Sequence, residues 1–144
     1  MAEVLAQPQR PVTAPRRLLH VFSTFATGGP QVRFATLANH FGRRYHHSVI
    51  ALDGNLACQS RLSPDLSLEL LVDESKKRAG LDGFRQAHRV LGERRPDLLL
   101  TYNWGATEWA LVNRLWARCR HVHFEDGFRP DEVGGQLRRR ILFR

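Results

Sequence analysis

Two short stretches of this chain carry residue types from which a binding or catalytic site can be built. The first is Thr27-Gly28-Gly29-Pro30, which lies between an apolar run and a segment with helical periodicity. Glycines let a backbone approach a ligand closely, and the N–H groups at a helix start attract phosphate or hydroxyl oxygens. We predict a binding role for Gly28 and Gly29, with a simple turn of the chain as the alternative interpretation.

Arg33 follows this turn inside the predicted helix. Its guanidinium either adds positive charge to the site or lies solvated on the outer helix face. Neither GxGxxG nor GxxxxGK[ST] occurs in the chain, so the turn matches neither a dinucleotide fingerprint nor a Walker A loop.

The second stretch is His121–Asp126, which offers two imidazoles and two carboxylates in six residues. In an extended strand His121, His123 and Glu125 share one face, whereas the residues that alternate with them share the other. Glu125 and Asp126 can bind a sugar hydroxyl or act as a base. Two histidines and a carboxylate can also begin a metal site, but no further ligand falls at a diagnostic spacing. We therefore predict no metal and a structural hydrogen bond for His121.

A third candidate follows the apolar run Leu98–Tyr102, where Asn103, Trp104 and Gly105 form a predicted turn. The apolar face of Trp104 suits the C–H side of a sugar ring or a flat lipid-linked group. A tryptophan in such a loop can equally pack as a plug. Asn103 and Trp104 are both predicted substrate-binding residues.

These candidates all follow apolar runs in a chain that alternates predicted strands with predicted helices. The strands are Leu18–Ser23, His47–Leu52, Leu66–Val72, Leu98–Tyr102 and His121–Phe124. The alternation predicts an α/β fold: a Rossmann-like parallel sheet in the order 3-2-1-4-5 with helices on both faces. Ligands bind such sheets beyond the carboxyl ends of the strands, where all three candidates fall.

The helical segments carry apolar stripes that predict their buried faces. For Gln31–Phe41 the predicted stripe is Phe34, Leu37, Ala38 and Phe41. For Thr107–Arg118 it is Trp109, Val112 and Trp116. After a predicted solvated loop at Asp73–Gly83, another helix has the predicted apolar stripe Phe84, His88 and Leu91, with Ala87 and Val90 beside it.

Composition bounds the class of protein. The chain has 144 residues, of which 42% are hydrophobic and 25% charged, as in ordinary globular domains. The net charge of +8 favours phosphate-bearing or membrane-surface partners. The basic, apolar segment Gln136–Arg144 is predicted to be a helix, which either contacts an anionic membrane or packs on the domain. We expect no nucleic acid partner.

Location and domain limits follow from the same sequence. No apolar run is long enough to span a bilayer, and the two cysteines form no CxxC pattern. We expect a cytoplasmic protein, in contact with the inner face of the membrane if that basic segment binds lipid. Residues 1–16 are predicted to be a disordered tail, and residues 17–144 a single Rossmann-like domain.

Four stretches together resemble the N-terminal domain of a GT-B glycosyltransferase of the retaining family 4. They are LLHVFSTFATGGPQVRFATLANHFG, HHSVIALDGN, RPDLLLTYNWGATEWALVNR and RHVHFEDGFRPDE. The resemblance extends from Leu18 to Glu132. It implies half of a two-domain enzyme, in which this half binds a sugar or lipid-linked acceptor and a second half binds the nucleotide-sugar donor.

The resemblance also implies roles for individual residues. Gly28 and Gly29 match the glycine loop that lies near the donor diphosphate. The family's histidine near the transferred sugar has no residue at the matching place, since His123 is displaced by about two positions. Glu125, Asp126 and His123 are accordingly the predicted catalytic residues, and no cofactor is expected besides the donor substrate.

The family's donor half is missing from these residues, so the chain is expected to be a truncated domain, incomplete at its C-terminus and inactive alone. Two other functions remain open. One is a non-catalytic α/β module that binds phosphorylated or anionic ligands. The other is a metal-dependent hydrolase that uses His121 and His123.

Overall fold

Strands and helices alternate along the chain in the computed structural model, which describes residues 14–72, 81–117 and 119–126. The strands are β1 (Arg16–Phe22), β2 (Tyr45–Ala51), β3 (Leu68–Val72), β4 (Leu98–Tyr102) and β5 (Arg120–Phe124). The α-helices are α1 (Gly29–Phe41), α2 (Leu81–Arg94) and α3 (Thr107–Val112). Short 3₁₀ turns lie at Gly42–Arg44, Ala57–Arg61 and Trp104–Ala106.

The five strands form one parallel sheet in the order β3-β2-β1-β4-β5. The predicted α/β fold and strand order are confirmed. The predicted basic helix Gln136–Arg144 lies outside the described residues, as does most of the predicted tail. Arg16, the last residue assigned to that tail, is the first residue of β1.

Each face of the sheet has its own apolar core because parallel strands are covered on both sides. On the first face α1 and the 3₁₀ turn Ala57–Arg61 cover a core that includes Phe22, Phe34 and Val49. On the second face α2 and α3 cover Leu19, Val21, Leu91, Leu99 and Trp109. None of the described helices is both long and apolar enough to cross a membrane.

The predicted buried stripe of α1 was wrong for two of its four members. Phe34 and Ala38 are buried, but Leu37 is 52% exposed and Phe41 is 39% exposed. Gln31 is buried in their place because its side-chain amide donates a 2.8 Å hydrogen bond to the carbonyl oxygen of Thr24. The satisfied amide lets a polar side chain face the sheet, and the helix is rotated accordingly.

Trp116, also predicted to lie in the core, is 57% exposed. Trp109 and Val112 are buried as predicted, but the helix continues through Asn113–Ala117 as a π-helical turn. A π turn closes i→i+5 hydrogen bonds and is wider than an α turn, so it rotates Trp116 away from the face that holds Trp109. A smaller difference lies at α2, which begins at Leu81 and so includes residues 81–83 of the predicted loop Asp73–Gly83.

Candidate functional site

The loops after β1, β4 and β5 meet at the carboxyl edge of the sheet. β1 and β4 are neighbours, yet the helix that follows β1 covers one face and the helix that follows β4 covers the other. In open α/β sheets such a point of divergence is where ligands bind, in the crevice outside the carboxyl ends of the strands. The candidate site is therefore built from side chains of these loops and of the first turns of α1.

An ion pair spans this edge from α1 to the end of β5. Arg33 donates two hydrogen bonds to Asp126, from Nη1 to Oδ1 at 2.9 Å and from Nη2 to Oδ2 at 2.7 Å. The guanidinium lowers the pKa of the Asp126 carboxyl, and the hydrogen bond to Asp126 raises the pKa of Arg33. The pair is partly exposed, at 44% for Arg33 and 31% for Asp126, so it is accessible to a ligand.

Asn103 fastens the end of β4 to the end of β5. Its backbone N–H donates to the carbonyl oxygen of Phe124 at 2.8 Å, and its Oδ1 accepts the backbone N–H of Asp126 at 2.9 Å. Asn103 has φ +57° with ψ −176°, a conformation outside the left-handed helical region that glycine adopts more easily than other residues. Both ends of Asp126, its backbone and its carboxylate, are thus held.

A layer of three stacked rings lies beneath the ion pair. Tyr102 is between Phe22 and Phe124, with ring centroids 3.9 Å and 5.0 Å away and interplanar angles of 10°. The Arg33 guanidinium carbon lies 5.3 Å from the centroid of Phe124, within cation–π range. The stacked rings form a rigid layer under the site, and Phe124 helps to orient Arg33.

Two buried histidines extend this layer away from the site. The Tyr102 hydroxyl is hydrogen-bonded to His20 Nδ1 at 3.1 Å, and His20 Nε2 is hydrogen-bonded to His47 Nδ1 at 3.0 Å. Burial lowers the pKa of His20 well below its ordinary range, and the neighbouring His47 lowers it further. Burial, followed by the nearby His46, lowers the pKa of His47 to about 4.

The glycine turn opens α1 beside this network. Gly28 is the N-cap residue, and a Cβ added there would lie 2.8 Å from Oε1 of the buried Gln31. A Cβ on Gly29 would meet no atom within 4 Å, so the space beside Gly29 is open. The first turn of α1 contains no acidic residue and no side chain caps it, which leaves its positive end to the crevice.

Gly105 is a residue of this edge that sequence reasoning did not single out. A Cβ at Gly105 would overlap the Oγ of Ser23 and lie 2.8 Å from its Cβ. The loops after β1 and β4 therefore touch at this point, and only glycine permits the approach. The Asn-Trp-Gly sequence directly after an apolar run predicts a turn, but it gives no indication that this turn contacts Ser23.

His123 does not join the Arg33 and Asp126 network. His121 Nε2 and His123 Nδ1 are each hydrogen-bonded to Thr101 Oγ1 at 2.8 Å, on the face that α2 and α3 cover. A hydroxyl donates only once, so at least one imidazole donates to Thr101. Burial lowers the pKa of both histidines, and Glu125 partly offsets the effect at His123.

The metal-dependent hydrolase that the sequence left open would need a third ligand beside His121 and His123. Among residues 14–72, 81–117 and 119–126, no group of three or more His, Cys, Asp or Glu side chains is placed to hold a metal ion. The imidazole nitrogens that point to Thr101 are already occupied, and the predicted structural hydrogen bond of His121 is present.

The remaining two predicted site residues flank the network. Glu125 is exposed at the end of β5. Trp104 is half-buried, with its indole Nε1 inside the protein and its carbonyl oxygen accepting the Thr107 hydroxyl at 2.8 Å. This burial agrees better with a packing role for Trp104 than with stacking against a ligand. Of the predicted residues, the structure joins Arg33, Asn103 and Asp126 directly and places Gly28 and Gly29 at the start of the helix that carries Arg33.

Comparison with protein-family models, with curated proteins and with solved structures gives no match to this chain. The class that the structure defines is an α/β fold with a five-stranded parallel sheet. Any function must be argued from the site itself.

Proposed function

We propose that this chain is the acceptor-binding half of a retaining glycosyltransferase of GT-B architecture, with the nucleotide-sugar held by a second domain. The observation that carries the proposal is the convergence of the open Gly29 helix start, the Arg33–Asp126 pair and Asn103 at one crevice. It supports a ligand that is polar, hydroxylated or anionic. The resemblance of the sequence to family 4 narrows this to a sugar or lipid-linked acceptor.

The ion pair suits hydroxyl recognition because it offers a fixed donor and a fixed acceptor side by side. A sugar hydroxyl can donate to a free lone pair of Asp126 while it accepts from an N–H of Arg33. The two groups are already paired, so no isolated charge has to be desolvated when a neutral sugar binds. The open space at Gly29 gives the ligand access to the first N–H groups of α1.

Within this proposal the two carboxylates have different tasks. Asp126 is held by two Arg33 hydrogen bonds and its pKa is lowered, which makes it a poor general base. Its task is to fix Arg33 and the end of β5. Glu125 is exposed at the same edge and is the residue we assign to the reacting acceptor. His123 lies near it, on the sheet face that α2 and α3 cover.

The donor sugar comes from a nucleotide-sugar substrate, and no further cofactor or nucleic acid is needed. Transfer requires both substrates to be positioned against each other, so the 144-residue chain alone is expected to bind an acceptor weakly and to transfer nothing. We place the reaction in the cytoplasm.

The test is ligand-observed NMR on the full 144-residue chain with two panels. One panel holds simple sugars and short-chain polyprenyl phosphates, and the other holds nucleotide-sugars. We expect saturation transfer to acceptors and a loss of at least about tenfold in affinity in Gly29→Val, near 1.4 kcal/mol. Gly92→Val is the matched control, because Gly92 is also helical and a Cβ there also meets no atom within 4 Å.

Equal acceptor binding by Gly29→Val and the unmodified chain would return the glycine turn to a purely structural role. Binding of nucleotide-sugars but of no acceptor would contradict the assignment to the acceptor half. Glycosyl transfer by the chain alone at the rate of a complete two-domain enzyme would contradict the proposal that a second domain supplies the donor.

A second candidate is a non-catalytic module for phosphorylated ligands. The observation that favours it is the uncapped first turn of α1, which has Arg33 and no acidic residue nearby in sequence. Inorganic phosphate and a sugar phosphate belong in the same NMR series for this reason. Binding of phosphate as tight as that of any acceptor, and equally sensitive to Gly29→Val, would favour this module over the glycosyltransferase.

A further inference from the structure

The end of α1 opposite the candidate site carries an exposed apolar and basic surface. We call it the α1 patch and define it by Leu37, His40, Phe41, Arg43 and Arg44. Leu37 and Phe41 are one helical turn apart and are 52% and 39% exposed. Two large apolar side chains side by side on the solvent face of a helix indicate a contact surface, because single exposed apolar residues are common on proteins and adjacent exposed ones are less common.

Aromatic contacts hold the patch in a fixed shape. The Arg44 guanidinium carbon lies 5.8 Å from the centroid of the Phe41 ring. The rings of His40 and Tyr45 stand edge-on to Phe41, at 5.1 Å and 5.8 Å between centroids. Phe41 is therefore a preformed ridge with cationic side chains beside it, and little side-chain entropy is lost when the ridge is covered.

The charge of this surface has one sign. The sequence contains no Asp or Glu between Glu3 and Asp53, so every charged side chain in α1 and in the turn Gly42–Arg44 is cationic. Within the described ranges neither Arg43 nor Arg44 forms an ion pair with a carboxylate. The nearest acidic residue in the hydrogen-bond network is Asp65, whose backbone carbonyl accepts Arg43 Nε at 3.0 Å.

We propose that the α1 patch docks on the surface of an anionic lipid bilayer. Arginines draw the protein to lipid phosphates, and Leu37 and Phe41 enter the boundary between headgroups and acyl chains. An exposed leucine at the centre favours a hydrocarbon surface over a nucleic acid, because leucine offers neither a stacking face nor a hydrogen bond. The proposal does not depend on the function of the site, and it differs from the predicted membrane contact of Gln136–Arg144.

The geometry also sets the distance of the site from the membrane. The 13 residues of α1 span about 20 Å at 1.5 Å per residue, from Gly29 at the site to Phe41 at the patch. Docking through the patch would leave the crevice accessible from the aqueous side.

The test is vesicle flotation of the full chain at about 0.1 M salt, with phosphatidylcholine alone or with about 30% phosphatidylglycerol. We expect partition onto the anionic vesicles only. The double variant Arg43→Gln with Arg44→Gln is expected to lower the partition coefficient at least about tenfold, and Leu37→Ser at least about threefold. Leu37→Ser is used in place of a Phe41 variant because the ring contacts that shape the patch are made by Phe41 and not by Leu37.

Arg89→Gln with Arg114→Gln is the matched control, since both arginines are exposed and the change in net charge is the same. The control is expected to bind nearly as the unmodified chain does. If the control lowers partition as much as the α1 patch variant does, attraction is through net charge and the proposal fails. It also fails if neutralising Arg138, Arg139 and Arg140 abolishes flotation while the patch variants retain it, or if the patch variants weaken binding of duplex DNA but not of vesicles.

Discussion

Acidification should destabilise this protein through His47. The side chain is 4% exposed, and its Nδ1 is engaged with His20 at 3.0 Å. Its Nε2 is buried and has no hydrogen-bond partner among the residues that the structure describes. A proton added to this imidazole would place a charge in the core, where burial disfavours the charged form, so the native state resists protonation.

The sign and size of the effect follow from the pKa of His47, which falls from 6.5 to about 4 on folding. Below pH 6.5 the unfolded chain binds a proton that the native state does not, so the free energy of unfolding falls as the pH falls towards 4. One pKa unit is worth about 1.4 kcal/mol, so the whole shift is worth about 3 kcal/mol. The lowered pKa of His20 acts in the same direction, but the two imidazoles share one hydrogen bond and their effects are not additive.

The assay is urea unfolding followed by circular dichroism between about pH 7.5 and pH 4.5. We expect the unmodified chain to lose about 2 to 3 kcal/mol over this range, and His47→Gln to lose much less. Glutamine can still hydrogen-bond to His20 but does not titrate. His88→Gln, the same substitution at an exposed histidine, is expected to keep the slope of the unmodified chain. If His47→Gln and His88→Gln show the same loss, the buried pair is not the acid-sensitive element.

Three further predictions concern the carboxyl edge. Gly105→Ala should lower the free energy of unfolding by about 1 to 3 kcal/mol because the added Cβ overlaps Ser23, and Ser23→Gly in the same chain should restore part of that stability. Equal melting temperatures for Gly105→Ala and the unmodified chain would contradict the contact. Asn103→Ala should cost more than Asn103→Gly in chemical denaturation, since both lose the 2.9 Å bond to Asp126 but glycine tolerates φ +57°; the reverse order would show that the backbone is not strained. Asp126→Asn should lower the free energy of unfolding by less than about 1 kcal/mol, as expected for an exposed ion pair. About 0.5 M salt should lower the stability of the unmodified chain by a similar amount, because salt screens the same pair. Glu125→Gln should leave the melting temperature unchanged and should reduce transfer once a donor half is present.

The arrangement of the sheet could be predicted because it depends on local patterns. Apolar runs such as Leu98–Tyr102, each followed by a helical period, specify parallel strands, and the handedness of the crossovers leaves few orders to choose from. The rotation of α1 could not be predicted in the same way. Leu37 is more apolar than Gln31, and only the hydrogen bond from Gln31 to the Thr24 carbonyl makes the polar residue the buried one.

The site shows the same division between local and distant information. Asn103 and Asp126 could be assigned to the carboxyl edge because each follows a predicted strand within two residues, and Arg33 because it lies near the start of the helix that follows the first strand. Their mutual bonds join residues 93 and 23 positions apart, and no spacing in the sequence encodes such a pairing. The π-helical turn at Asn113–Ala117 also left no signal, because it preserves the apolar spacing of Trp109 and Trp116 while it changes their angle.

Rigidity at this edge is concentrated on one side of the crevice. Asp126 is hydrogen-bonded to both Asn103 and Arg33. Tyr102 stacks on Phe124 under these residues and is itself oriented by its hydrogen bond to His20. The start of α1 has the opposite character, since Gly29 faces open space and its turn has no side-chain cap. Under the proposed function, a ligand would meet a rigid side that contacts its hydroxyls and an uncapped helix start that accepts its most negative group. In that proposal the rigid side is already ordered before the acceptor binds, which lowers the entropy cost of binding a weak acceptor.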